Sequence, residues 1–261
     1  MKFLIPSTLF LGLSALSALA SDLPPGVVSA RLLPGWVDQA GNRMSAIELQ
    51  LEPGWKTYWR QPGDSGFPPS FDWQGSTNLE SVTLHWPAPE AIWSGDELTL
   101  GYHDRLVLPF TASPQMAEAG SELQLAMDFG VCEKICVPAH VVMRADQPDV
   151  RPDPQILTAL KRVPVPSDVV PGCHMTPIED GLRLVVELPQ SNVDVAAMEV
   201  IGQPDIWVST PALHSGTQGT SATVELVPPS ASPFDLDTED LLITLIDDAG
   251  AIEMQGCSTA G

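Results

Sequence analysis

Positive charge is scarce in this chain: 12 Lys and Arg stand against 33 Asp and Glu, for a formal charge of −21. A surface this acidic repels nucleic acid and anionic membrane, which argues against both as partners. Histidine is sparse too. His85, His103, His140, His174 and His214 are scattered, without the close pair that a histidine metal site needs. No glycine-rich loop of the kind that cradles phosphate is present. Beyond the N-terminus no segment reaches about 18 consecutive apolar residues, so the mature chain is expected not to insert in a membrane. No internal repeat relates its two halves. No cofactor and no metal site is expected. Cysteine is rare as well, with only four, and their positions prove the most informative feature of the sequence.

The first twenty residues decide how those cysteines are read. Lys2 precedes an apolar run, and Ala18-Leu19-Ala20 closes it. This is the pattern of a cleaved secretory signal peptide over residues 1–20, with Ser21 as the first mature residue. Cleavage removes one Lys and no acid, taking the charge from −21 to −22. The mature chain is then expected in an oxidising compartment, the periplasm, where disulfides persist.

The rest of the chain reads as almost all β. Alternating or short apolar runs at Val27–Leu33, Met44–Leu51, Ser81–Trp86, Leu106–Ala112, Leu123–Phe129 and Val137–Arg144 are separated by turn signals such as Pro53-Gly54 and Ser94-Gly-Asp96. Strands at this spacing predict a β-sandwich over residues 21–147. The character changes at residues 148–171, which are proline-rich and read as a linker, with a short helix over Gln155–Arg162 entered at Pro154. Strand patterns return at Leu182–Leu188, Ala196–Val200, Ile206–Ser209, Ala222–Val227 and Leu241–Ile246, predicting a second, smaller β domain over residues 172–261. The 26 prolines are spread along the chain, as suits loops between strands.

Cys132 and Cys136 lie in Gly130-Val-Cys-Glu-Lys-Ile-Cys-Val-Pro138, between two strand patterns. That placement predicts a hairpin with Glu133, Lys134 and Ile135 as its turn. Two cysteines facing across so tight a turn can close a disulfide, but the small ring restricts its geometry. Strained or exposed disulfides reduce more easily than structural ones. Cys173 and Cys257 bracket the second β domain. Four cysteines allow three pairings, and an exported chain is expected to join these two as a structural bridge. In the loop-entropy view a link spanning that distance stabilises by about 4.6 kcal/mol, against about 2 kcal/mol for the Cys132–Cys136 ring. The long bridge is thus expected to staple, and the short one to carry chemistry.

Three segments in order, Pro53-Gly-Trp-Lys-Thr-Tyr-Trp-Arg-Gln-Pro-Gly-Asp-Ser-Gly66, Tyr102-His-Asp-Arg-Leu-Val-Leu-Pro109 and the Cys132–Cys136 stretch, resemble the N-terminal domain of the DsbD family. The look is nearest to ScsB-like variants, which are linked to copper tolerance. The resemblance runs from about Val27 to Met143. It implies an immunoglobulin-like sandwich whose cysteine pair receives electrons from a membrane-embedded domain and reduces periplasmic disulfide partners. Carried over residue by residue, Cys132 and Cys136 are the redox cysteines and Tyr58 is the aromatic facing them. The protective cap loop falls around Trp93–Leu100, just before Tyr102. The chain departs from the family in its three-residue spacing and in lacking the membrane and thioredoxin-like domains. It is therefore expected to need a separate membrane electron donor, with periplasmic thiol/disulfide proteins as its partners.

The chemistry this implies is thiol–disulfide exchange, as a component of protein-disulfide reduction: a thiolate attacks a partner disulfide and the second cysteine resolves the mixed species. By family analogy Cys136 attacks. Lys134 would favour a thiolate and Glu133 would oppose it. Trp55, Tyr58, Trp59, Phe67, Phe71 and Trp73 cluster before the pair. Core packing is their default role, with shielding of the sulfurs open for any of them. Two alternatives stand. One is a non-enzymatic binding protein with two structural disulfides. The other is copper binding through Cys132, Cys136 and His140, since thiolates suit Cu(I), although that spacing would line a helix face rather than a hairpin. Ser65, in Gly63-Asp-Ser-Gly66, resembles a hydrolase serine only superficially and reads as a turn.

Overall fold

A computed structural model describes residues 23–63, 66–190, 193–217, 219–247 and 250–259. The expected signal peptide and Ser65 lie outside these residues. Ten strands come first among the described residues: β1 (Val27–Val37), β2 (Arg43–Leu51), β3 (Lys56–Gly63), β4 (Ser70–Asp72), β5 (Ser81–Leu84), β6 (Glu90–Ser94), β7 (Glu97–His103), β8 (Arg105–Ser113), β9 (Gln124–Cys132) and β10 (Cys136–Arg144). They form one sheet in the order β1-β2-β8-β5 and another in the order β10-β9-β3-β7-β6, with β4 added to β9. Alternation sends Ile47, Leu49, Leu108 and Phe110 inward from the first sheet. Trp59, Leu100, Leu125, Met127 and Phe129 meet them from the second, in one continuous core. This is an immunoglobulin-like β-sandwich.

A buried carboxylate ties the outer side of the first sheet. Glu48 on β2 takes the Arg31 Nε at 2.5 Å and the Arg105 Nε at 3.0 Å, from strands on either side of it. Burial pushes this carboxyl up, but the two guanidiniums outweigh it and hold its pKa below the ordinary value of 4.5.

The stretch expected as a linker is docked. Helix α1 (Pro154–Leu160) starts where Asp153 caps the Gln155 amide at 2.7 Å and Pro154 takes the first turn. Ile156 is fully buried against Leu33 and Ala46 of the first sandwich. Arg43, itself buried, donates to the carbonyls of Pro34 and Asp146, and Asp149 N bonds Gly35 O at 2.7 Å. The short helix expected in this proline-rich stretch is present, and the stretch adds a cap at Asp153 and a short strand, β11 (Val165–Ser167).

That strand belongs to a second sandwich. Its other members are β12 (Gly172–Ile178), β13 (Gly181–Leu188), β14 (Val195–Val200), β15 (Trp207–Val208), β16 (Ala212–Gly216), β17 (Gly219–Val227), β18 (Leu241–Asp247), β19 (Gly250–Gln255) and β20 (Ser258–Thr259). The sheets run β11-β19-β18-β14 and β15-β17-β13-β12-β20, with β16 on β17. Leu184, Val186, Val224, Ile243 and Met254 fill the space between them. Cys173 and Cys257 are disulfide-bonded across 5.8 Å between Cα atoms, and both are buried in this core. The bridge joins β12 to the segment entering β20, which pairs with β12 in parallel. Among the described residues, no helix is long and apolar enough to cross a membrane.

The two sandwiches meet at β3. Arg60 lies over the Trp59 ring, 4.4 Å from its centroid, and forks onto Glu199 of β14 at 2.9 and 3.0 Å and onto Glu253 of β19. Gln61 Nε2 donates to Met198 O at 3.3 Å. Val195, Ala197 and Ile246 extend the first core across the junction. Burial alone would lower the Arg60 pKa, but two carboxylates hold it above its ordinary value. Burial raises Glu199, and Glu253 adds to the effect, so one guanidinium is shared between two acids.

Two outcomes follow from these ties. Arg60→Ala leaves Glu199 and Glu253 unpaired in a part-buried junction. It is expected to cost about 2–3 kcal/mol in urea unfolding, short of the ~3–5 kcal/mol for a fully buried pair. Glu48 has a depressed folded pKa, so its contribution is full above 4.5 and is lost as pH falls below that value. Urea midpoints taken from pH 7 to pH 3 should therefore fall less steeply in Glu48→Gln than in the parent.

Candidate functional site: a disulfide at the end of a hairpin

Strands β9 and β10 pair without a break from Arg144↔Gln124 to Cys136↔Cys132, and Glu133, Lys134 and Ile135 make the turn. The two cysteines face each other, disulfide-bonded, with Cα atoms 4.2 Å apart. Their surroundings are unequal: Cys132 is 2% exposed, whereas Cys136 is exposed to solvent.

Tyr58 explains the difference. Strand β3 pairs with β9 through Lys56↔Cys132 and Thr57↔Val131, so the next outward position of β3 falls beside Gly130. The Tyr58 ring fills the space over Gly130. A Cβ on Gly130 would stand 2.7 Å from the ring, so no side chain fits there without displacing Tyr58. The Thr57 hydroxyl donates to Gly130 O at 2.9 Å and fastens the two strands. The Tyr58 hydroxyl then lies 2.7 Å from Cys132 Sγ and 3.0 Å from Cys136 Sγ. A disulfide has no proton to give, so the tyrosine is the donor, its one proton shared between the two sulfurs or directed to either. Burial raises the phenol pKa, which keeps that proton in place at neutral pH. Phe67 also borders Gly130. Its Cβ is 3.4 Å from where a Gly130 Cβ would sit, and its ring is exposed.

Of the other candidates near the pair, Lys134 lies in the turn itself and Tyr102 falls elsewhere. Lys134 is exposed, and its Nζ lies 3.4 Å from Glu133 Oε1, so the charges of the turn offset each other. Tyr102 is buried in the core and its hydroxyl donates to Pro87 O at 2.7 Å, apart from the sulfurs. The rest of its motif is architectural. Asp104 adopts positive φ in the tight β7–β8 connection and accepts the Gly54 amide at 2.8 Å, while Arg105 holds Glu48. The cap expected at Trp93–Leu100 is the β6–β7 hairpin, on the same sheet as the pair but separated from β9 by β3. Leu98 and Leu100 face the core, and Trp93 is exposed. Trp55, Trp59, Phe71 and Trp73 pack in or against the core.

His140 pairs with Asp128 at 2.8 Å. It is four residues along β10 from Cys136, about 13 Å of extended strand, so the strand geometry does not converge Cys132, Cys136 and His140 on one ion. Two contributors carry no motif that would have marked them. Gly130 matters through the absence of a side chain, and Lys56 is the register partner of Cys132. The Lys56 Nζ reaches across β3 to Thr99 Oγ1 at 3.3 Å, away from the sulfurs, and burial lowers its pKa.

The fold and the site together define an immunoglobulin-like sandwich that presents a disulfide at a hairpin end, with Cys136 exposed and Cys132 buried. Residues 29–147 match the family described as thiol:disulfide interchange protein DsbD, N-terminal. Among solved structures, the N-terminal periplasmic domain of ScsB from Proteus mirabilis aligns with a TM-score of 0.64 at 22% identity, over 89% of this chain and 92% of that one. The shared fold thus extends through both sandwiches. A marsupial T cell receptor aligns at 13% identity over 88% of this chain and 96% of that one. Its TM-score of 0.18 is too low to bear on the fold. No curated protein matches the sequence.

The tyrosine contact has a measurable consequence. Tyr58→Phe removes the donor to sulfur, and in the reduced protein the thiol it serves should become less acidic by about one pKa unit. Iodoacetamide alkylation followed across pH measures that value. An unchanged profile would mean that the hydroxyl does no more than fill space.

Proposed function

We propose that the protein is a periplasmic thiol–disulfide exchange module that passes reducing equivalents through Cys132 and Cys136. The observation that carries this reading is the asymmetry of the pair, with Cys136 open to solvent and Cys132 covered beside a tyrosine hydroxyl. The match of residues 29–147 to the DsbD N-terminal family supports it. So does the amino-terminal export pattern of the sequence.

The steps balance as ordinary exchange. A donor thiolate attacks Cys136 Sγ in line with the existing bond. A donor–Cys136 disulfide forms and Cys132 leaves as a thiolate, with the Tyr58 proton directed at it. The donor's second thiol then attacks its own sulfur in the mixed disulfide and releases Cys136. The pair has gained two electrons and the donor has become a disulfide. Delivery runs in the same sense on a client. The Cys136 thiolate opens the client disulfide, and Cys132 attacks Cys136 Sγ to release the client as a dithiol. The donor is proposed to be a separate membrane protein, and the clients to be periplasmic thiol/disulfide proteins. The Cys173–Cys257 bridge, buried in the second core, is assigned a structural role.

The test is the reduction potential of Cys132–Cys136 in the folded mature chain, read by thiol labelling and mass spectrometry in graded redox buffers. A value well above about −300 mV, with Cys173–Cys257 still oxidised, is expected. A lower value, or reduction only on unfolding, would leave a binding protein with two structural disulfides.

A further inference from the structure

The turn between the cysteines carries a residue that the fold does not require. Ile135 is 76% exposed and immediately precedes the open sulfur of Cys136. Tight turns favour Gly, Asn, Asp, Ser and Pro, for reasons of backbone freedom and local hydrogen bonding. A β-branched aliphatic has neither advantage, and here it gains no core contact. Phe67, 57% exposed, has its Cβ beside Gly130, two residues before Cys132 on the same strand. Two uncovered apolar side chains thus accompany the cysteine pair in a strongly acidic chain. Within the turn, Lys134 lies beside Glu133.

Resting on the exchange reading above, we infer that Ile135 and Phe67 form a docking rim for partners whose reactive cysteine is flanked by apolar residues. Chain continuity carries the argument. A sulfur that bonds to Cys136 comes within a covalent bond length of a residue adjacent to Ile135, so the segment bearing it must cover the turn. With Lys134 paired to Glu133, that segment meets the exposed apolar side chain of Ile135. Apolar flanks gain by burial there, whereas acidic flanks meet the repulsion of a chain with formal charge −21. Scattered exposed apolar residues are ordinary on protein surfaces. These two differ because both border the position where a partner must sit.

The test uses the mature chain with its Cys132–Cys136 pair reduced. The probes are short peptides whose single cysteine is a mixed disulfide with thionitrobenzoate, flanked either by Leu and Val or by Gly. Attack on the peptide sulfur forms the Cys136–peptide disulfide, breaks the peptide–thionitrobenzoate bond and releases the coloured thiolate, which gives the rate. Cys132 then frees the peptide thiol. Taking the ratio of the two rates within one protein cancels changes in intrinsic thiol reactivity. The parent should prefer the Leu/Val probe by about tenfold, and the ratio should fall toward one in Ile135→Ser and in Phe67→Ser. A ratio near one in the parent, or a preference that survives in the double variant, would overturn the docking rim while leaving the exchange reading intact. Failure of the reduced pair to react even with the Gly probe would overturn both.

Discussion

Cys132 faces Cys136 because β9 and β10 hold one unbroken antiparallel register over their whole paired length. The reactive end depends on that register. Leu125, Met127, Phe129 and Val131 face the core from β9, and Ala139, Val141 and Met143 face it from β10. A slip of one residue would turn both rows toward solvent, so the core of the first sandwich dictates where the sulfurs meet. The neighbouring pairing of β3 with β9 then places Tyr58 over Gly130 and its hydroxyl between the two sulfurs. The chemistry sits at the rim, but its geometry is set by hydrophobic burial several residues away.

Scarcity of cations shapes the rest of the molecule. Several of the few guanidiniums hold the architecture together. Arg31 and Arg105 converge on Glu48, Arg43 gathers carbonyls from the start and the end of the first sandwich, and Arg60 joins the two sandwiches through Glu199 and Glu253. Arginine suits each place because its planar fork meets several oxygens at once and stays charged when part-buried. Arg60 is also two residues from Tyr58 on β3, with Trp59 sunk in the core between them. The strand that senses the sulfurs is thus the one to which the second sandwich is fastened.

Some of this was legible in the chain, and the limits are instructive. Alternation in β10 was readable because one face is buried and the other is exposed, whereas β2 is buried on both faces and its pattern showed through polar residues such as Glu48 that are paired rather than wet. The β6–β7 hairpin, expected as a cap loop, was not readable, since Glu90–Ser94 is exposed at nearly every position and has no apolar period. The prolines of residues 148–171 suggested a tether. The short helix expected there is present but docked: Ile156 and Leu160 pack with Leu33 and Ala46, on strands far away in sequence. Tyr102 shares a motif with Asp104 and Arg105, yet the pleat turns it inward to Pro87, while Tyr58 faces the sulfurs.

By itself the sequence determined an all-β chain, an acidic surface, a tight hairpin with a cysteine at each end, and a cysteine pair spanning the second sandwich. Each follows from local periodicity, from turn chemistry or from the count and spacing of a rare residue. Only the tertiary structure decided that Cys132 is covered and Cys136 open, that Tyr58 is the hydroxyl between them, and that Arg60 fastens the two halves. These depend on which strands become neighbours in a sheet. That choice is made by burial of the whole core, so it leaves no mark in any single stretch of sequence.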